Sequence, residues 1–164
     1  MKQHGGYITC CSEPGQGTTF KVYLPIADRK PATECTRPDV TGKGETILLA
    51  EDNGLVRGLV GDLLRQAGYR VVEAVDGEDA VARFGENGDS VRLLLLDAIM
   101  PRKNGRQVYD EIRELRPGIK VVFSSGYPAE VFNGAGFDGA DVSFIAKPVV
   151  PADLLRKVRE VLAE

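Results

Sequence analysis

Strand-like and helix-like patterns of apolar residues alternate along the chain from Thr46 to its end. "TILLA" is a short apolar run, which is typical of a strand buried on both faces. The next apolar residues recur at helical spacing until Gly68 supplies a stop. They are Leu55, Val56, Leu59, Val60, Leu63 and Leu64. This segment therefore predicts one strand followed by one helix.

The same unit then repeats. Further strands are predicted at "YRVVEAV", "RLLLLD", "IKVVFSS" and "DVSFIA", with a turn at Asp76-Gly77. The residues that mark the helices are Ala80, Val81, Phe84, Val108, Ile112, Leu115, Leu154, Leu155, Val158, Val161 and Leu162. Three glycines after Phe132 predict that the fourth helix is short, frayed or mobile. Five repeats in about 120 residues predict an α/β fold with a doubly wound, five-stranded parallel sheet in the order 2-1-3-4-5.

The first 27 residues carry a different pattern. "GGYITCCSEPGQGTTFKVYLP" alternates polar and apolar residues around a turn at Pro14 to Gly17, which predicts a β-hairpin. Residues 28–44 are polar and contain two prolines, so they are interpreted as a linker to a domain at 45–164. A lone hairpin is marginal in water, so we expect it to pack on that domain, to pair with another molecule or to be disordered.

Composition narrows the classes of function. The 164 residues are 43% hydrophobic and 27% charged, a normal balance for a soluble protein. The net charge of -3 and the lack of a basic run argue against direct nucleic-acid binding. No apolar stretch approaches the roughly 18 residues of a membrane span, and "MKQHGG" has no signal-peptide hydrophobic region. We therefore expect a cytoplasmic segment without membrane contact.

The cysteines and the single histidine add little chemistry. Cys10, Cys11 and Cys35 form no C-x-x-C pair, and an odd number suits reduced thiols better than disulfides or a zinc site. His4 precedes two glycines and is interpreted as a surface residue.

Polar residues end four of the predicted strands. They are Glu51-Asp52, Asp97, Ser124-Ser125 and Lys147-Pro148. Each of these four sites alone would be an ordinary polar end of a strand or a turn. The carboxyl ends of parallel strands share one edge of a sheet, however, so the carboxylates, the hydroxyls and the ammonium are expected to converge in one crevice. Four such coincidences favour a functional site.

The charges of this set suggest its chemistry. Three close carboxylates repel one another unless a cation lies among them, and oxygen ligands of this kind suit Mg²⁺. A phosphoryl group at the same place would account for Lys147 and a serine hydroxyl as well. Asp97 is then the nucleophile, since a carboxylate is ionised at neutral pH and needs no general base.

The motifs "LLAEDN", "LLLLDAIMP" followed by "NG", "SSG" and "FIAKP" together resemble the receiver domains of two-component signalling proteins from about Glu45 onward. The resemblance implies that Asp97 accepts a phosphoryl group from a phosphohistidine. It also implies that Asp52 and Asp97 ligate Mg²⁺ directly, that Glu51 acts largely through water and that Ile99 contributes its backbone carbonyl.

The same resemblance assigns the remaining site residues. Ser125 would be the hydroxyl that moves to the phosphoryl group, Lys147 its ion-pair partner, and the peptide before Pro148 would be cis. Phe144 occupies the place of an aromatic switch residue; a plain core role is the alternative. Ile99 and Tyr127 offer no carboxylate or amide to orient a hydrolytic water, which predicts slow self-dephosphorylation.

The hairpin is similar to the last two strands of a histidine-kinase ATP-binding domain, through "SEP", "GQGT" and "TTFKVYLP". Gly15 and Gly17 would be remnants of its nucleotide box. The other kinase motifs are absent, so the chain is not expected to be a kinase by itself. The two resemblances together imply a hybrid histidine kinase, with Met1 at a boundary within a longer protein.

Three classes of function remain. A phosphoryl-accepting receiver would relay to a histidine of a kinase or phosphotransfer domain, or feed back on its own kinase, and would catalyse only its own phosphorylation and dephosphorylation. A phosphorylation-independent interaction module is the alternative. A phosphatase of the aspartate-nucleophile type would need a second aspartate where Ile99 lies. The sequence leaves the oligomeric state open; a homodimer would use the hairpin or the face of the fourth helix, fifth strand and last helix.

Overall fold

The computed structural model describes residues 7–23, 42–126 and 142–163. The chain divides into two compact units, Met1–Pro38 and Asp39–Glu164. The predicted fourth helix, most of the predicted linker, and His4, Cys35 and Tyr127 lie outside the described residues. Labels below number the described strands and helices in chain order.

The first unit contains the expected hairpin. Strand β1 (Tyr7–Glu13) pairs antiparallel with β2 (Gly17–Tyr23). Gly15 and Gly17 have φ angles of 79° and 94°, a conformation that glycine adopts at little cost. Every residue of both strands is exposed. The register pairs Ile8 with Val22 and Cys10 with Phe20, so one face of the hairpin is apolar.

The second unit is built on a five-stranded parallel sheet. Its strands are β3 (Thr46–Ala50), β4 (Arg70–Ala74), β5 (Val91–Asp97), β6 (Lys120–Ser125) and β7 (Val142–Ala146). They lie in the order β4-β3-β5-β6-β7, which confirms the predicted 2-1-3-4-5 topology. The register places Asp97 beside Ser124 and Ser125 beside Ala146, so the polar strand ends do share one edge.

Four helices are described beside this sheet. They are α1 (Gly54–Gln66), α2 (Gly77–Asn87), α3 (Gly105–Leu115) and α4 (Pro151–Ala163). Three begin at a side-chain cap: Asn53, Asp76 and Asn104 accept hydrogen bonds from backbone N–H groups of the first turn. The predicted turn at Asp76-Gly77 is therefore wrong, because Asp76 caps α2 and Gly77 is its first residue.

The leucine run of β5 explains the position of its terminal carboxylate. Leu93 and Leu95 belong to one buried cluster, with residues of α1 and α4, whereas Leu94 and Leu96 belong to a second cluster with residues of α2 and α3. The strand is thus buried on both faces, as expected for a central parallel strand. Asp97 at its end is held in place by apolar packing on both sides of the sheet. Among the helices of the described ranges, none has the length and apolar composition of a membrane span.

Candidate phosphoacceptor site

Four side chains meet beyond the carboxyl edge of the sheet, and Ser125 ends a strand at the same edge. Glu51 and Asp52 follow β3, Asp97 ends β5, Ser125 ends β6 and Lys147 follows β7. Glu51 is 5% exposed and Asp97 is 7% exposed, whereas Asp52 is open to solvent. The site thus has two buried carboxylates and an accessible third one. The three carboxylates and the Lys147 ammonium thus lie together, as the sequence predicts for these four groups.

Lys147 bridges the two buried carboxylates. Its Nζ lies 2.7 Å from Asp97 Oδ2 and 2.8 Å from Glu51 Oε2. Burial lowers the pKa of this ammonium, but hydrogen bonds and charge attraction from Asp97 and Glu51 outweigh burial and raise the pKa above its usual 10.5. Lys147 is therefore fully charged at neutral pH, where it offsets part of the negative charge of the cluster.

Backbone groups fix the orientation of both carboxylates. The Ile99 N–H donates to Asp97 Oδ1 at 3.2 Å, and the Asn53 N–H donates to Glu51 Oε1 at 3.4 Å. Arg57 donates to the Glu51 carbonyl at 2.7 Å and forms a 3.4 Å ion pair with Glu73. The carboxylates are held by their neighbours before any ligand binds, which reduces the ordering cost of binding.

The donor set fits a hard divalent cation. Glu51, Asp52 and Asp97 each offer a carboxylate oxygen, and these oxygens lie within 4.8 Å of one another. Mg²⁺ prefers oxygen ligands and is commonly held by one or two carboxylates with retained waters. The exposure of Asp52 leaves room for those waters and for a phosphoryl group. The residues present therefore suit Mg²⁺.

The serines and Lys147 are joined through the main chain. The Ala98 N–H donates to the Ser124 carbonyl at 2.9 Å, and the Lys147 N–H donates to the Ser125 carbonyl at 2.7 Å. Both serines are buried. These bonds join the first residue after β5 and the first residue after β7 to the end of β6.

Two features that the sequence singled out lie on β7 or directly after it. The peptide between Lys147 and Pro148 is cis. Phe144 is partly buried and stacks on Phe123, with ring centroids 5.7 Å apart. Phe123 in turn packs edge-on against Tyr109. In this conformation Phe144 contacts the apolar core, as the core interpretation of this residue requires.

Sequence reasoning missed the groups that support the site. Arg57 and Asn53 orient Glu51, yet neither belongs to a strand end. Gly105 lies so close to the carbonyl oxygen of Asp97 that a Cβ there would overlap it. The glycine of the "NG" that follows Asp97 could have indicated that the backbone at Gly105 lies close to another backbone segment. No local sequence pattern predicts that the Arg57 side chain donates to the backbone carbonyl of Glu51.

The fold and this geometry agree with comparisons to known proteins. The family model for the response regulator receiver domain matches residues 47–159. The chain belongs to this receiver domain family. Its receiver domain includes every residue of the carboxylate cluster and Lys147.

Relatives of the receiver domain come from two kinds of protein. The chain is 35% identical to the sensor kinase CckA of Brucella abortus, over 99% of this chain and 18% of that protein. It is 32% identical to the response regulator receiver protein CpdR of the same organism, over 71% of this chain and 95% of CpdR. A crystal structure of the receiver domain from the hybrid histidine kinase CckA superposes with a TM-score of 0.62 at 34% identity, covering 71% of this chain and 98% of that domain. The chain thus spans less than a fifth of the sensor kinase that it matches.

Proposed function

We propose that this receiver domain accepts a phosphoryl group from a phosphohistidine onto Asp97. The observation that carries the proposal is the Lys147 ammonium, which contacts Asp97 and Glu51 at the edge where three carboxylates meet. A fixed cation beside the accepting carboxylate suits a reaction in which negative charge accumulates on the transferred phosphoryl oxygens. Mg²⁺ would be held by Asp52, Asp97 and the Ile99 carbonyl, with Glu51 acting through water.

Several residues of the chain would each have a separate role in phosphoryl transfer. An Asp97 carboxylate oxygen attacks phosphorus while the bond to the imidazole nitrogen breaks and its electron pair returns to that nitrogen. Lys147 neutralises charge on a phosphoryl oxygen, and the Ser125 hydroxyl donates a hydrogen bond to another. The Ile99 N–H holds Asp97 Oδ1 in place during the attack. Bound Mg²⁺ supplies further neutralisation of the phosphoryl oxygens.

Exposed apolar side chains around the site support a protein as the phosphoryl donor. Leu55 is 82% exposed, and Leu59, one turn further along α1, is also exposed. Ile99 is 61% exposed two residues after Asp97, and Val150 is exposed three residues after Lys147. An apolar rim around a charged centre is typical of a protein-binding surface. We assign this rim to the phosphohistidine-bearing domain of a kinase or phosphotransfer protein.

Phosphorylation would be read out through Ser125 and Phe144. Ser125 ends β6 and lies beside Ala146 of β7, the strand that carries Phe144. Movement of the Ser125 hydroxyl toward a phosphoryl oxygen would alter the space next to Phe144. Phe144 has no hydroxyl, so its response would be a change of packing against Phe123 rather than a new hydrogen bond.

We further propose that the chain is part of a hybrid histidine kinase that acts in the cytoplasm. The match to CckA extends over 99% of this chain and therefore includes the hairpin. Residues 1–27 would be the end of an ATP-binding domain, 28–44 a linker and 45–164 the receiver domain. Gly15 and Gly17 would be remnants of the nucleotide box. The receiver would relay phosphate onward or feed back on its own kinase.

The proposal is tested by intact mass after incubation with acetyl phosphate and Mg²⁺. Wild type is expected to gain one phosphoryl group only when Mg²⁺ is present, and Asp97→Asn is expected to gain none. Asp62→Asn is the matched control, because it removes an exposed carboxylate on α1 outside the cluster. A wild type that binds Mg²⁺ but gains no mass would contradict the proposal and favour the phosphorylation-independent module.

A further inference from the structure

The loop between Asp97 and α3 contains an unusual backbone conformation. Arg102 has a φ angle of 65°, and among the described residues it is the one non-glycine residue with positive φ. Bulky side chains rarely adopt this left-handed region, because the Cβ crowds the following carbonyl oxygen. Such a conformation persists where surrounding contacts enforce it.

A buried carboxylate supplies the enforcing contact. A guanidinium nitrogen of Arg102 forms an ion pair with Asp76 Oδ2, and Nε lies 3.7 Å from Glu78 Oε2. Asp76 is 1% exposed, and its Oδ1 accepts hydrogen bonds from the Glu78 and Asp79 N–H groups at 2.9 and 3.0 Å. Within the described ranges, Oδ2 has no other hydrogen-bond donor. Without Arg102 a buried charge would lack its counter-ion, which is strongly unfavourable.

Two more contacts attach the same loop to its neighbours. A Cβ on Gly77 would overlap the Lys103 carbonyl oxygen, so the first residue of α2 touches the loop directly. Lys103 Nζ lies 2.6 Å from Glu111 Oε2 of α3. At the other end of the loop, the Ile99 N–H donates to Asp97 Oδ1. Fixing residues 102 and 103 therefore restricts the path of the segment that orients the Asp97 carboxylate.

We infer that Arg102 is a positioning residue for phosphoryl transfer. Its ion pair with Asp76 fastens the loop of residues 98–104 to the start of α2 and so keeps the Ile99 N–H and carbonyl in place beside Asp97. Arg102 acts through the loop and needs no contact with the phosphoryl group. This inference rests on the proposed role of Asp97 as phosphoacceptor.

Two variants separate the ion pair from the backbone conformation. Arg102→Gly tolerates positive φ but removes the guanidinium, whereas Asp76→Asn keeps a capping oxygen for α2 and removes the charge. Arg102→Lys retains a cation and is expected to restore part of the function. Arg83→Ala is the matched control, because it removes an ion pair with Asp79 on the exposed side of the same helix.

The first readout is the rate of phosphorylation by acetyl phosphate at saturating Mg²⁺. We expect Arg102→Gly and Asp76→Asn each to slow it on the order of tenfold or more, since small displacements of a reacting group have effects of this size. The double variant is expected to be little slower than either single variant, because both remove the same interaction. Arg83→Ala should match wild type.

The second readout is the Ile99 amide resonance in metal-free protein, which a purely stabilising role of Arg102 would not move. Arg102→Gly and Asp76→Asn are expected to shift or broaden it, whereas Arg83→Ala leaves it in place. The inference would be overturned if both variants were phosphorylated at the wild-type rate and the Ile99 amide resonance were unshifted in both. If wild type itself takes no phosphoryl group, the proposed function fails, and the amide resonance still decides whether Arg102 positions the loop.

Discussion

Lys147 and Asp97 are 50 residues apart in sequence, yet Lys147 Nζ lies 2.7 Å from Asp97 Oδ2. The same ammonium contacts Glu51, so one side chain provides the positive charge between two buried carboxylates. This contact offsets part of the repulsion between the two carboxylates. It also places a cation where a transferred phosphoryl group would need one.

Replacing Lys147 by Met should make the protein more dependent on Mg²⁺ for stability. The variant leaves the carboxylate cluster without its internal cation, so we expect a loss of about 1–2 kcal/mol of unfolding free energy in metal-free buffer, less than for a fully buried pair. Mg²⁺ should restore much of this loss, because it binds the folded cluster. Phosphorylation should fall on the order of a hundredfold even at saturating Mg²⁺.

Thermal unfolding with and without Mg²⁺ measures this effect. Lys157→Met is the control, because it removes an exposed ion pair with Glu160 on α4. An equal Mg²⁺-induced rise in melting temperature for wild type and Lys147→Met would show that the ammonium does not offset the charge of the cluster.

Gly105 should tolerate no side chain. A Cβ there would overlap the Asp97 carbonyl oxygen and lie 3.2 Å from the Asp97 carbonyl carbon, and neither backbone atom can rotate away. We expect Gly105→Ala to cost about 1–3 kcal/mol of unfolding free energy and to slow phosphorylation by displacing Asp97. Gly85→Ala at an exposed position of α2 is the control, because a Cβ there meets nothing within 4 Å. It should stabilise the helix by about 0.5–1 kcal/mol, as denaturant unfolding would measure.

The sequence was sufficient to predict the sheet and most of the site, because both depend on local patterns. A short apolar run bounded by a polar residue identifies a parallel strand and its carboxyl end, and the topology then brings Asp97 and Lys147 together. The strands begin or end within about a residue or two of the predicted limits, as at Tyr69 and Val75, which flank β4. The order of the strands follows from the repeat of strand and helix.

The supporting contacts could not be predicted in the same way. Arg102 and Asp76 meet across two loops, and a charged residue in a loop leaves no periodic signal of its partner. "DG" at Asp76 suggested a turn, since aspartate before glycine is common in turns and also at helix caps. The acidic residues Glu78 and Asp79 were the available clue to a helix start at this point.

The apolar face of the N-terminal hairpin should make this unit self-associate. Ile8, Phe20 and Val22 are exposed on one face, and within the described ranges the two strands form a sheet of their own. A two-stranded sheet of this kind is marginally stable unless another surface covers it. We therefore expect that deletion of residues 1–40, or Phe20→Ser alone, lowers the number of chains per particle, obtained by dividing the molar mass from light scattering by the mass of one chain. Lys21→Ser on the opposite face is the control, and a wild type that is already monomeric would refute the pairing.

The phosphorylated receiver should lose its phosphoryl group slowly, and Ile99 should be one cause. Ile99 is exposed two residues after Asp97, where its side chain offers no hydrogen bond to orient an attacking water. Ile99→Asn introduces an amide at that position, so we expect the decay to accelerate on the order of tenfold.

Ile99→Val keeps an apolar side chain of smaller volume and tests whether access of water to the phosphoryl group alone controls the rate. The decay is followed by intact mass after removal of acetyl phosphate. Equal decay of wild type and Ile99→Asn would exclude this role, whereas acceleration in both variants would assign the slow decay to shielding by Ile99 rather than to its lack of an amide.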